Sequence, residues 1–383
     1  MKKFSIIFFL FILAFNMIDA QVKYENFQSL KLGQSRQIKI QLPRNYNDNQ
    51  DKNYPLIVVL DGDYLFEAVA GNADYYAYWE DMPEAIVVGV NQIDTRYDDC
   101  LYSEQNSMPV ETGAAFFEFI GMELIPHIEN KYRTANFKVA VGHGQTANFI
   151  NYYLLKSQPV FQGYVVISPE LAPNMLDYIP ERLSKADSKI FYYLANTTND
   201  SASIKDMTNT LNGDIALVNN DNLIYNFDSF EGFSHYAMPA HAIPNAIESI
   251  FHIYQPISKK VYQETILKLE TSPLLYLKEK YRAINELFGI NKQVLVNDFK
   301  AISAAIEKTK RFTDYEELGK MARKAYPETL LGSYYTARFY EETGDIKRAL
   351  RTYQSAYILD EIGGITKEDM LYKANLIKQD FGY

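Results

Sequence analysis

Residues 139–147 read VAVGHGQTA, a buried-strand pattern that runs through a glycine turn straight into a helix start. This is where a nucleophile elbow of the form G-x-S-x-G belongs. The first glycine is kept at Gly142, but Gly144 stands where the serine belongs and Thr146 where the last glycine belongs. An elbow nucleophile holds a backbone conformation that costs a non-glycine residue about 1–3 kcal/mol, so glycine relieves strain while removing the group needed for covalent catalysis.

Outward from this turn, mostly apolar runs recur at Pro55–Asp61, Ala85–Asn91, Phe137–Gly142, Gly163–Ser168 and Lys189–Ala195. Such runs suit strands buried on both faces of a sheet. Arg36–Leu42 alternates like an edge strand, and Leu223–Ser229 completes the series. Helix-length segments separate the strands. Gly113–Tyr132 places Phe116, Phe119, Ile120, Leu124 and Ile128 at helical spacing, and Gln145–Lys156 continues the elbow. The alternation predicts an α/β fold, a doubly wound and mainly parallel sheet whose ligands sit at the carboxyl ends of the strands. From about Pro256 the strand signal stops and an all-helical region follows. There Ala349, Tyr353 and Ala356, after Gly344-Asp345, match the second half of a tetratricopeptide repeat, with Ala322 and Pro327 in the same frame 34 residues earlier. An ordinary helical bundle fits the same residues.

The chain has 383 residues, 47% hydrophobic and 22% charged, which excludes a disordered or collagen-like protein. Met1-Lys2-Lys3, the apolar run Phe4–Phe15 and a small-residue end at Ala20 read as a secretory signal over residues 1–20. That run is shorter than the roughly 20 residues a bilayer requires, and no later stretch approaches that length. The expected location is therefore exported, periplasmic or extracellular, with no membrane span. Losing Lys2, Lys3 and Asp19 takes the net charge from −10 to −11, which argues against nucleic acid and anionic membranes as partners and leaves neutral or cationic small ligands open. The lone Cys100 has no disulfide partner in the chain and reads as a buried thiol. No His or carboxylate spacing suggests a metal site, and no cofactor is expected. The sequons at Asn196 and Asn199 read as incidental.

Further segments fall in a fixed order: LDGDYLF at 60–66, NQIDTRYDD at 91–99, FFEFIGMELIPHIENKYRT at 116–134 and GFSHYAMP at 232–239. Together they resemble the esterase D-like family of α/β-hydrolases over roughly residues 27–254. The resemblance implies an α/β-hydrolase domain over 21–255, ahead of the helical region at 256–383. It also implies His235 as general base, a triad acid at Asp200 or, less favoured, Asp206, and oxyanion-binding N–H groups at Gln145 and at Asp63 or Tyr64. His143 as a substitute nucleophile, and His241 or His252 as the base, are weaker candidates. Three functions stay open. The chain is a degenerate, catalytically impaired hydrolase that binds an ester, acyl or peptide-like ligand; or it is a working carboxylic-ester hydrolase using His235 with another nucleophile or activated water; or it is a scaffold whose helical region holds a protein partner.

Overall fold

In the computed structural model, which describes residues 22–382, eight strands form a single sheet. They are β1 Val22–Gln28, β2 Ser35–Gln41, β3 Tyr54–Val59, β4 Ile86–Val90, β5 Thr134–His143, β6 Gly163–Ile167, β7 Ile190–Thr197 and β8 Leu223–Phe230. Their order is β1-β2-β4-β3-β5-β6-β7-β8. β2 pairs antiparallel with both β1 and β4, and every other neighbour is parallel. The central strands β3, β4, β6 and β7 are buried along their whole length, as strands covered on both faces must be. After β3 the chain moves to one side for β4 and returns to the other for β5, so the ends of β3 and β5 flank the point where the winding reverses. Open α/β sheets form their clefts there.

The helices of this unit are α1 Phe66–Tyr78, the short α2 Arg96–Asp99, α3 Glu111–Glu118, α4 Ile125–Lys131, α5 Gln145–Leu154, α6 Met175–Ser184, α7 Ala202–Ala216 and α8 Pro239–Phe251. The helix expected over Gly113–Tyr132 runs without a gap from Glu111 to Lys131, but its middle is not α-helical. Phe119–Leu124 is a π-helical segment, and the Ile125 N–H reaches back to the Ile120 carbonyl. Pro126, which lacks an N–H, follows at once, so the wider turn re-registers the ladder where an α-helical bond would be missing. The five apolar positions read as one face are all buried. The sequence gives no sign of β1, an edge strand with half-buried and exposed positions and no regular alternation.

Among the described residues, those from Val22 to Trp79 and Pro83–Ile250 make one compact unit; Glu80–Met82 and those from Phe251 to Gly382 make another. The second unit is helical, with α9 Lys259–Glu264, α10 Pro273–Phe288, α11 Val296–Thr309, α12 Asp314–Ala325, α13 Leu330–Glu342, α14 Ile346–Ser355 and α15 Lys367–Phe381. Ala322, Ala349, Tyr353 and Ala356 are buried in its core. The signal segment read at residues 1–20 lies outside the described residues. Among the described residues, no helix is long and apolar enough to cross a membrane.

Candidate active site

Two glycines shape the turn after β5. A Cβ on Gly142 would fall 2.5 Å from the Thr146 carbonyl oxygen, so α5 can approach β5 only if this residue has no side chain. Gly144 holds φ +62° and ψ −118°, the left-handed half of conformational space that favours glycine. Its N–H donates to the Ile167 carbonyl at 3.0 Å, and its carbonyl accepts from the N–H groups of Glu170 and Asn148. A Cβ there would point at three polar side chains: Arg96 Nη2 at 3.2 Å, Glu170 Oε1 at 3.3 Å and His235 Nε2 at 3.8 Å.

His235 comes from the loop between β8 and α8, Asp200 from the loop after β7. The imidazole Nδ1 lies 2.6 Å from Asp200 Oδ1. The other carboxylate oxygen accepts from Ser168 Oγ at 2.6 Å and from the Thr197 N–H at 3.0 Å. Burial drives the Asp200 pKa upward, but the bonds from His235, Ser168 and Thr197 outweigh it and hold the carboxyl below its usual range. Thr197 also donates through Oγ1 to the Phe233 carbonyl, tying the histidine loop to the end of β7. Asp206 lies on an exposed face of α7, and His241 stacks on Phe233 with ring centroids 3.8 Å apart.

Beneath the turn lies a network that sequence reasoning did not assign to the site. Arg96 grips Asp61 through Nε at 2.6 Å and Nη2 at 3.1 Å, and Nη2 also donates to the His143 carbonyl at 2.7 Å. Thr146 Oγ1 donates to Asp61 Oδ2 and accepts from the His143 N–H, so the threonine in the last-glycine place braces the turn. His143 is fully buried, with Nδ1 2.9 Å from the Tyr64 hydroxyl. Its ring lies 4.3 Å from that of His235. Burial, helped by His235 and Arg96, pushes the His143 pKa down to about 3, so it is a neutral packing partner at physiological pH. It has no open path to a ligand, against the nucleophile role considered for it.

For an oxyanion, the N–H groups of Gln145 and Asp63 have no hydrogen-bond acceptor among the described residues. The Tyr64 N–H does not serve, because it closes the turn on the Asp61 carbonyl at 3.1 Å. The loop itself is fixed by Asp63 Oδ2, which accepts from the Gln92 N–H. Behind it, the buried Arg36–Asp99 pair, at 2.5 and 2.9 Å, anchors the 91–99 segment. A cavity of about 770 Å³ opens over Gln145 and His235. Among the described residues no cluster of His, Cys, Asp or Glu could hold a metal. Cys100 lines the cavity wall, largely buried, and burial pushes its thiol pKa up, away from a reactive thiolate. Chemically, the Asp200–His235 pair can take and return a proton at Nε2, yet the residue facing that nitrogen has no hydroxyl to give one.

The family model described as "Putative esterase" matches residues 29–222, 194 of the 383 residues. None of the curated proteins matches. Among solved structures, an uncharacterised protein from Capnocytophaga ochracea is 30% identical, with a TM-score of 0.85 over 94% of this chain and all of that one. An IroE-like serine hydrolase from Shewanella oneidensis is 19% identical, with a TM-score of 0.60 over 78% of this chain and 98% of that one. The BES protein from Bacillus cereus is 23% identical, with a TM-score of 0.53 over 61% of this chain and 95% of that one. The last two show the shared fold. By the family match, which covers more than half of it, the chain belongs to the putative esterase family.

Proposed function

We infer that this chain is an exported esterase-fold protein that binds an ester, acyl or peptide-like ligand in the cavity over His235 and does not form an acyl-enzyme. The observation that carries this reading is the position of Gly144. A side chain there would start 3.8 Å from His235 Nε2, the place of a serine that the sequence does not supply. The acid–base pair and free N–H groups remain, which suits recognition of a carbonyl group without covalent turnover. Export rests on the leader pattern of residues 1–20.

A second reading, hydrolysis by water activated at His235, is favoured by the short Asp200–His235 bond, to which an oxyanion hole and binding alone can add about 10³–10⁴-fold catalysis over water. For the helical unit, a tetratricopeptide-type interaction scaffold is supported by the burial of Ala322 and Ala356, one repeat length apart. Short-chain aryl-ester hydrolysis by the native protein, His235→Ala, Gly144→Ser and Gly144→Ser/His235→Ala separates the first two readings. The first expects turnover only in Gly144→Ser; native turnover that His235→Ala abolishes would establish the second.

A further inference from the structure

The charge and chemistry of the cavity wall select among ligands. Three tyrosines, Tyr97, Tyr102 and Tyr236, line it together with the carboxylates of Glu104 and Glu170, and no lysine or arginine is among its lining residues. Tyr97 and Tyr236 are 72% and 79% exposed, far more than packing alone accounts for. Glu104 and Glu170 form no salt bridge among the described residues. Arg96, the nearest cation, is held by Asp61 and the His143 carbonyl. A cation entering here meets tyrosine rings and carboxylates without a salt-bridge partner, both of which can attract it; an anion meets repulsion from both carboxylates. The net charge of −10 adds a field of the same sign.

We propose that the cavity is selective for organic cations: its ligand carries an ammonium group held among Tyr97, Tyr102, Tyr236, Glu104 and Glu170, with its carbonyl end over Gly144. This rests on the esterase-fold binding site proposed above and names the ligand class that site takes. Glu170 is the hinge of the arrangement, since Oε1 flanks the Gly144 position and the same residue lines the cavity. The ammonium end and the carbonyl end are therefore neighbours, and compact ligands suffice.

Three soluble aromatic probes that no esterase can hydrolyse test this by calorimetric titration of the full chain at low salt: benzyltrimethylammonium, benzyl alcohol and benzoate. The cation is expected to bind at least about tenfold more tightly than either of the others. In Glu104→Gln/Glu170→Gln, two exposed positions whose change leaves the core intact, its advantage over benzyl alcohol should shrink to about threefold or less, with benzyl alcohol itself unchanged. Equal or tighter binding of benzoate or benzyl alcohol, an advantage that persists undiminished in the double variant, or no binding of the cation up to about 10 mM would each overturn the proposal. These outcomes are independent of ester turnover by Gly144→Ser, so cation selectivity and the esterase-site reading can fail separately.

Discussion

Replacing Gly144 by alanine isolates the backbone strain of the turn from any chemistry. The residue holds φ +62° and ψ −118°, a region in which a non-glycine residue costs about 1–3 kcal/mol. A Cβ also meets the tips of Arg96 and Glu170 at 3.2 and 3.3 Å, contacts that two long side chains relieve by small rotations. Against this, alanine narrows the unfolded ensemble and returns about 0.4–1 kcal/mol. The net expectation is a loss of about 1–2 kcal/mol. For a unit of this size that lowers the melting temperature by about 2–8 °C. Thermal and urea unfolding of the full chain provide the assay, with Gly71→Ala as reference. Gly71 lies inside α1, and a Cβ added there would meet no atom within 4 Å, so the same change should stabilise by about 0.5–1 kcal/mol through helix propensity. If Gly144→Ala is as stable as the native chain, the strain argument is wrong, and with it the physical reason for glycine at the elbow.

His143 should leave a signature in the pH dependence of stability. Its folded pKa is depressed to about 3, so below about pH 6.5 the unfolded chain takes a proton that the native state refuses, and stability falls by about 1.4 kcal/mol per pH unit until the folded pKa is reached. Denaturation at pH 7.5 and 4.5 should therefore show the native chain losing roughly 3 kcal/mol more than His143→Asn; equal losses would contradict the assignment. Asp99→Ala strands the buried Arg36 guanidinium and should cost about 3–5 kcal/mol in urea unfolding, while Arg36→Met/Asp99→Leu recovers most of it. A loss below about 1 kcal/mol would show that the pair is not needed to hold the 91–99 segment.

The central strands are legible in the sequence because burial on both faces leaves continuous apolar runs such as residues 55–60 and 86–90. β1 is not, because at the sheet edge Tyr24 and its neighbours keep contact with water and lose the pattern. Periodicity finds the apolar face of the helix before β5 but cannot reveal the π-helical segment, which depends on where the Pro126 ring falls in the ladder. At the site, Gly144 can be placed by its turn and, through the family resemblance, His235 and either Asp200 or Asp206 by chain order; the structure brings Gly144, Asp200 and His235 together. Arg96, Asp61, Thr146 and Glu170 cannot, since they meet only because β4, β3, β5 and β6 end side by side. The segment containing Arg96 stands out in the sequence, but nothing in its spacing shows that the guanidinium braces the elbow carbonyl. Position alone makes Tyr64 a candidate oxyanion donor; the turn that uses its N–H is visible only in three dimensions.

On the reading proposed above, the site holds an acid, a base and oxyanion donors and lacks only a nucleophile. The most direct measurement is the intact mass of the native protein and of Gly144→Ser after exposure to an aryl fluorophosphonate, with peptide mapping of any adduct. No adduct is expected on the native chain, and a single phosphonyl group is expected at position 144 in the variant, lost again when His235→Ala is added. A native chain that is labelled at another residue, or a folded Gly144→Ser that is not labelled at position 144, would contradict that reading.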